Sequence, residues 1–284
     1  MEPSYVVNRV SAVPVLLVAE AGAPDDQRKA PILDVSGASV AFGGLQALDG
    51  VSVSVEQGAI VGLIGPNGAG KTTLFNVISG LQKVDRGAIR LEGRDITQMM
   101  ADRRATLGIG RSFQNLGLMM GESVEDNLLA AQHLAVNYRG WDIIVRPWRF
   151  IDVERELRKK AVNALKVFGL PASYGQKTLS ELSFAGARFV ELACVLVGQP
   201  RLMLLDEPTT GLDIREVDRL LAVLSELRQG GTTILLVAHD VRFVMGVCDY
   251  VYVLADGRLL FEGLPGAVQE NPAVIEAYLG RPAT

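Results

Sequence analysis

The segment Gly65–Thr72 constrains this chain more than any other, because it matches the pattern G-x-x-x-x-G-K-[ST]. It lies between an apolar run, Ala59–Ile64, and a helix-like stretch that ends at Gly80. A glycine-rich turn without a ligand is the structural alternative. The preceding strand and the following helix are the context that a phosphate-binding loop requires, so they favour nucleotide binding.

The residue types in this loop define the chemistry that we predict for it. Glycines allow successive backbone N–H groups to turn inward onto an anion. Lys71 adds a positive charge for the outer phosphates, and the hydroxyl of Thr72 is placed to ligate Mg²⁺. The predicted nucleotide-binding residues of the loop are Gly65, Asn67, Gly68, Gly70, Lys71, Thr72 and Thr73.

Two further apolar strands place polar side chains where a ligand would bind. The run that starts at Leu202 ends in Asp206 and Glu207, and the next apolar run precedes His239. In open α/β sheets, ligands collect at the carboxyl ends of buried parallel strands. Asp206 is the predicted Mg²⁺ ligand beside the Thr72 hydroxyl, and Glu207 is predicted to polarise a water molecule toward the γ-phosphate. A capped strand end is the alternative for the two carboxylates.

Apolar and polar residues alternate in two stretches before the phosphate loop, as they do in strands. Leu33–Val40 and Ala47–Val55 are predicted to be antiparallel strands that flank the first nucleotide-binding strand. Phe42, at the turn between them, would by default be a half-buried aromatic at a strand end. With the phosphate loop present, we predict that its ring stacks on the nucleotide base.

Helical periodicity from Val124 onward predicts a helical insert at about residues 115–195 instead of another βα unit. His133, within this part, is interpreted as a structural histidine. Residues 1–30 are expected to be a poorly ordered extension, and residues 281–284 a tail. A signal peptide is the less favoured interpretation of the N-terminal segment, since Pro14 interrupts its apolar run.

Composition excludes several classes of function. A formal net charge of -4 provides no basic field of the kind that nucleic-acid binders use, so DNA and RNA are not expected partners. The apolar runs fall short of the roughly 20 residues that a membrane-spanning helix needs, so no span is predicted. Cys194 and Cys248 lie in apolar segments without C-x-x-C spacing, which indicates core thiols in a reducing compartment.

Six motifs in order make the chain resemble the ATP-binding subunits of ABC transporters over roughly residues 32–280. They are Gly65–Thr72, Arg111–Gln114, Leu182–Gly186, Leu204–Pro208, Gly211–Asp213 and Val237–Asp240. A narrower resemblance, to the subunits that serve importers of branched-chain amino acids and related polar solutes, is carried by Val40–Leu45, Asn127–His133 and Asn271–Gly280.

The resemblance implies an α/β fold with a P-loop NTPase core, a mostly parallel sheet, an antiparallel β subdomain and a helical insert. It implies an ATP-binding domain at residues 31–280, with ATP and Mg²⁺ as cofactors. Ser183 and Gly186 would contact the nucleotide of a second subunit, and Asp213 would line the subunit contact. Gln114 would touch Mg²⁺, His239 would hold the γ-phosphate, and Phe42 would stack on adenine.

The resemblance also implies partners. These are a second ATP-binding subunit, identical or paralogous, membrane-spanning permease subunits and, indirectly, an extracytoplasmic solute-binding protein. The chain would lie peripherally on the cytoplasmic face of the cell membrane. The apolar stretch Phe113–Met120 predicts a groove, lined by Leu116, Leu118 and Met119, that receives a short helix of a membrane subunit. The alternative is that these side chains pack within the insert.

One departure from the family pattern is expected to matter, and two other functions remain open at this stage. Ala185 stands where the family usually has glycine, and we expect its methyl group to obstruct the partner's phosphate slightly. Gly186, one residue later, could restore some freedom. A soluble ABC-type regulatory or repair ATPase, acting without a transporter, is the first alternative function. A catalytically idle subunit is the second.

Overall fold

The computed structural model describes residues 31–112, 117–132 and 147–279. Its strands are β1 (Leu33–Phe42), β2 (Leu45–Val55), β3 (Ile60–Ile64), β4 (Arg86–Leu91), β5 (Arg94–Asp95), β6 (Ile109–Arg111), β7 (Leu202–Asp206), β8 (Thr233–Val237), β9 (Tyr250–Ala255) and β10 (Arg258–Gly263). Its helices are α1 (Lys71–Ser79), α2 (Ala101–Thr106), α3 (Val124–Gln132), α4 (Pro147–Val167), α5 (Phe184–Val197), α6 (Ile214–Gln229), α7 (Val241–Val247), α8 (Pro265–Glu270) and α9 (Pro272–Leu279). Short 3₁₀ turns precede α5.

The strands of the described residues form two sheets. The larger sheet has the order β10-β9-β3-β8-β7-β6 and is parallel except for β10, which pairs antiparallel with β9. Alternate residues of its buried strands enter two different cores. In β7, Met203 and Leu205 face one core, and Leu202 and Leu204 face the other. This two-sided burial explains the uninterrupted apolar runs in the sequence.

The smaller sheet is antiparallel, with the order β2-β1-β4-β5. The prediction that β1 and β2 flank β3 is therefore wrong, although their antiparallel pairing is correct. Both edges of β3 are taken by β8 and β9, which arrive from much later in the chain. Since β3 is buried on both faces, parallel partners covered by helices suit it, and β1 and β2 pack over α1 instead.

Within the described residues, helices α3, α4 and α5 lie between β6 and β7 and pack against one another. Their shared core includes Phe168 and Phe189, whose ring centroids are 6.3 Å apart. The predicted fold class is therefore confirmed: a mostly parallel α/β core carries an antiparallel subdomain and a helical insert. The limits of the insert stay a prediction, because α5 runs on to Val197 and packs on the core as well.

The end of the described chain differs in one detail from its predicted form. The hairpin of β9 and β10 turns at Asp256 and Gly257, as predicted, but two helices follow it where one was expected. Cys248 is buried and Cys194 is partly buried, and both are free thiols. Within the described ranges, no helix has the length and hydropathy to cross a membrane.

Candidate functional site

The phosphate loop joins β3 to α1 and depends on glycine at particular positions. Gly65, Gly68 and Gly70 have φ of 150°, 81° and 97°, values that residues with a side chain rarely adopt. A Cβ on Gly65 would lie 2.1 Å from the carbonyl oxygen of Leu254, and one on Gly70 would lie 2.5 Å from that of Ala47. The loop therefore packs closely against both sheets, and this holds its backbone in place.

The loop presents positive charge to its surroundings. Helix α1 has no acidic residue in its first turn and no side-chain cap at Gly70, so its positive dipole end is not neutralised locally. The Nζ atom of Lys71 donates hydrogen bonds to the carbonyl oxygens of Gly65 and Pro66, both at 2.8 Å. Thr72 is exposed at the same helix end, beside the partly buried Thr73. This donor set fits the phosphates of a nucleotide.

Asp206 closes β7 at the same edge of the larger sheet, and its side chain is almost fully buried. The Arg111 guanidinium lies 3.1 Å from the Asp206 carboxylate. The backbone N–H of Asp206 donates to the Ser112 hydroxyl at 3.0 Å. Burial raises the pKa of Asp206, and Arg111 opposes that change. Burial lowers the pKa of Lys71, while the charges of Glu207 and Asp206 oppose the lowering. The lysine and both carboxylates thus share one electrostatic environment.

Glu207 and His239 meet at this edge. The Nε2 atom of His239 lies 2.7 Å from Oε1 of Glu207, and the Thr210 hydroxyl donates to Oε2 of Glu207 at 3.1 Å. Glu207 has φ of 49°, a left-handed conformation that costs about 1–2 kcal/mol for a residue with a side chain. That turn directs the glutamate to the histidine. The strand ends therefore converge as predicted, and the catalytic roles of both residues remain predictions.

Sequence reasoning missed Arg188, which is 3% exposed inside α5. One nitrogen of its guanidinium donates to the carbonyl oxygens of Asp206 and Glu207, at 2.9 and 2.7 Å, and the other to Glu191 at 2.6 Å. These bonds fix the backbone on which the two carboxylates stand. An arginine and a glutamate three positions apart in an otherwise apolar helix were the available signal, since buried charges require partners.

The motif Leu182–Gly186 forms a capped helix end. The hydroxyl of Ser183 accepts a hydrogen bond from the backbone N–H of Gly186 at 3.1 Å, as its predicted N-cap position requires. Ala185 is 6% exposed and packs in the core, so its methyl group is enclosed by its own chain. The structure therefore favours the interpretation without obstruction. A Cβ on Gly186 would lie 3.3 Å from the Ser183 hydroxyl, which explains why a glycine suits that position.

The predicted residues do not all come together. Asp213 caps its own helix α6 by accepting from the backbone N–H of Glu216 at 2.9 Å. Among the described residues, no hydrogen bond joins Ser183, Gly186 or Asp213 to the phosphate loop. Their roles toward a nucleotide stay predictions. Gln114 lies outside the described residues, together with Phe113, Leu116 and His133.

Phe42 stands at the open end of the smaller sheet with 48% of its surface exposed. It pairs with Leu45, and Ala47, two residues further along β2, contacts Gly70 of the phosphate loop. The aromatic side chain is therefore near the rim of the loop, where an adenine ring bound through its phosphates could reach it. Asn67 is also exposed, on the loop itself.

Phe42→Ala is expected to weaken ATP binding roughly tenfold or more, because stacking on an aromatic ring contributes about 1–3 kcal/mol per base. Turnover at saturating ATP should be unaltered, since the ring does not touch the reacting phosphate. Equilibrium titration with ATP measures the affinity. Leu45→Ala, a change of its exposed strand partner, is the control. Unchanged affinity in Phe42→Ala would assign the ring to packing alone.

Comparison with known proteins agrees with this geometry. A family model described as ABC transporter matches residues 48–210, and one described as branched-chain amino acid ATP-binding cassette transporter matches residues 258–284. The high-affinity branched-chain amino acid transport ATP-binding protein BraF of Pseudomonas aeruginosa is 38% identical over 251 residues. That alignment covers 88% of this chain and 98% of BraF.

Solved structures give the same result. The ADP conformation of MJ1267, an ATP-binding cassette of an ABC transporter, matches with a TM-score of 0.77 and 30% identity, over 89% of this chain and 100% of that one. The structure of cbiO1 from Clostridium perfringens, which is part of the ABC transporter complex cbiONQ, matches with a TM-score of 0.73 and 30% identity. It covers 87% of this chain and 94% of cbiO1.

Proposed function

Because the chain belongs to the family of ABC transporter ATP-binding proteins, whose members hydrolyse ATP, we propose that it powers the import of branched-chain amino acids or a related polar solute. The solute is imported through separate membrane-spanning partners. The observation that carries the catalytic part is the 2.7 Å contact of Glu207 with His239, on the edge that also holds Lys71 and Asp206. The solute class is supported by the match of residues 258–284 and by the relative BraF.

The residues of this edge divide the chemistry among them. Lys71 and the N-terminal N–H groups of α1 bind the phosphates. Glu207 accepts a hydrogen bond from the attacking water. His239 holds Glu207 and can reach the outer phosphate. Mg²⁺, when bound, neutralises phosphate charge; Thr72 and Asp206 are the described residues that would hold it, and Gln114 is the further predicted ligand.

A second ATP-binding subunit, identical or paralogous, completes the site in this proposal. Phe184 and Ile214, the residues after Ser183 and Asp213, expose 55% and 82% of their surfaces. A Cβ on Gly211 would lie 2.3 Å from the Phe184 ring, so the two motifs form one surface. Exposed apolar side chains grouped in this way mark a contact surface. The Ser183 end of α5 then faces the partner's phosphates.

The membrane partner is proposed to dock in a groove of about 1080 Å³ between α2, β6 and the helical insert. Its apolar lining includes Leu118 and Met119, which precede α3, and Leu81, which follows α1. A short amphipathic helix fits a groove of this kind. The docked chain would lie peripherally on the cytoplasmic face of the membrane, and an extracytoplasmic solute-binding protein would act on the same complex indirectly.

Met119→Asp is expected to abolish assembly with the permease subunits, because it places a charge against an apolar helix, while ATP binding is retained. Leu118→Asp should act in the same way, although Leu118 also packs on the core of the insert. Co-purification with the permease subunits measures assembly. Met120→Asp is the matched control, since Met120 is equally exposed (46% against 45% for Met119) but does not line the groove. Complexes that assemble normally with Met119→Asp would contradict the docking site.

The alternative, a regulatory or repair ATPase that acts without a transporter, is not favoured. The net charge of -4 gives no overall basic field of the kind that nucleic-acid binders use. The relative BraF, aligned over 98% of its length, is a transport protein by name.

A further inference from the structure

Arg111, the last residue of β6, ties two parts of the nucleotide site together. One nitrogen of its guanidinium donates to Oδ1 of Asn76 and to the Ser79 hydroxyl, each at 2.8 Å, and the other donates to Asp206 at 3.1 Å. The guanidinium carbon lies 5.7 Å from the centre of the Phe75 ring. The Arg111 side chain is 9% exposed, so these interactions are largely shielded from water. It thereby joins α1, the helix that begins at Lys71, to the carboxylate of Asp206.

The residue after Arg111 reinforces this link. The Ser112 hydroxyl accepts from the backbone N–H of Asp206 at 3.0 Å, and the Ser112 N–H donates to the Leu204 carbonyl at 2.9 Å. The end of β6 thus holds both the main chain and the side chain of Asp206. A planar guanidinium with several fixed donors constrains a carboxylate more tightly than a lysine could.

The same arginine also borders the groove. Arg111 and its partner Ser79 line the groove together with Leu118 and Met119. A helix seated there would therefore contact the residue that holds Asp206. A displacement of Arg111 would reach the carboxylate through one hydrogen bond.

We propose that Arg111 is a positioning residue that holds the Asp206 carboxylate in place for Mg²⁺. When the membrane partner binds in the groove, it displaces Arg111, and Arg111 transmits this displacement to the carboxylate. The transmission rests on the proposed function, whereas the positioning of Asp206 does not. A purely structural tie between α1 and β6 is the competing explanation. It predicts a change in thermal stability alone, without a change in magnesium requirement at temperatures where the protein stays folded.

The positioning is tested with the full chain by titrating MgCl₂ at fixed ATP. Arg111→Met keeps most of the aliphatic stem and removes every donor. We expect the magnesium concentration that gives half of the Mg²⁺-dependent gain in ATP affinity, measured by equilibrium binding, to rise roughly tenfold, together with the concentration for half-maximal ATPase activity; tenfold is the usual size of a lost charge-assisted hydrogen bond. Arg111→Lys, which keeps the charge, should show a smaller rise. Arg228→Met is the matched control, because Arg228 pairs with Asp249 at the opposite edge of the sheet, and it should not change the magnesium requirement.

The transmission is tested by adding the permease subunits in detergent or nanodiscs. Arg111→Met should still assemble but lose most of the stimulation of ATPase activity that the partner gives to the wild type. An unchanged magnesium requirement in folded Arg111→Met would overturn the positioning, and undiminished stimulation would overturn the transmission. If Arg111→Met does not fold, Ser79→Ala, which removes one anchor of the guanidinium, should raise the requirement about twofold to threefold. No rise in either Ser79→Ala or Arg111→Lys would overturn the positioning.

If the proposed function is wrong, the experiments give a different set of results from those that would overturn the role of Arg111. A wild-type chain that never assembles with the permease subunits would overturn that function and the transmission together. The magnesium titration of the isolated chain would still decide whether Arg111 positions Asp206.

Discussion

Glu207→Gln is expected to bind ATP as tightly as the wild type while its turnover falls roughly 100-fold or more. Glutamine has the same shape and can keep the contacts with His239 and Thr210 that now hold the glutamate. Its neutral amide cannot polarise the attacking water as the negatively charged carboxylate does. Because the ATP-bound state then persists, the variant should also accumulate as a closed dimer with ATP.

Steady-state phosphate release and ATP titration of the purified variant measure the two effects, and size-exclusion chromatography with ATP measures the dimer. Glu226→Gln, the same change on the exposed face of α6, is the control. Normal turnover by Glu207→Gln would reduce Glu207 to a capping residue at the end of β7.

Lys71→Met should weaken ATP binding roughly 100-fold. The change removes a cation whose pKa is lowered by burial and whose charge is supported by Glu207 and Asp206, so both carboxylates lose a counter-charge. It also removes the two hydrogen bonds that join the lysine to Gly65 and Pro66. In the nucleotide complex Lys71 would donate to a phosphate oxygen, and a hydrogen bond to a charged group contributes about 1.5–3 kcal/mol, so the loss of one such bond accounts for a change of this size.

Equilibrium binding of ATP with and without Mg²⁺ measures the loss, and thermal unfolding shows whether the variant is folded. Lys83→Met, an exposed lysine just after α1, should leave the affinity unaltered. A folded Lys71→Met protein with wild-type affinity would exclude the phosphate loop as the nucleotide site.

The edge that carries the chemistry could be predicted because its signals are local. Strands buried on both faces give continuous apolar runs, and Asp206, Glu207 and His239 follow directly after two of them. The N-cap at Ser183 followed from the preference of hydroxyl residues for helix starts. These inferences needed only the order of residues and the fact that parallel strands end at one edge.

Other features depended on contacts between distant segments, which a single sequence does not record. Alternation showed that β1 and β2 each have one buried face, but not that β8 and β9 occupy both edges of β3. The left-handed backbone of Glu207 is unusual for a non-glycine residue. Arg188, in helix α5, stabilises it by donating to the Glu207 carbonyl. Arg111 looked like part of a motif that ends in Gln114, and only the fold places it on Asp206.

The central claim, that ATP hydrolysis at this site drives solute import, is tested most directly by transport. The chain is reconstituted in proteoliposomes with its permease subunits and solute-binding protein, and uptake of labelled leucine, isoleucine and valine is measured. We predict uptake that requires ATP and Mg²⁺ with the wild-type chain and that is lost with Glu207→Gln. Uptake that proceeds equally with Glu207→Gln, or wild-type hydrolysis without uptake of any of these solutes or a related polar one, would contradict the account.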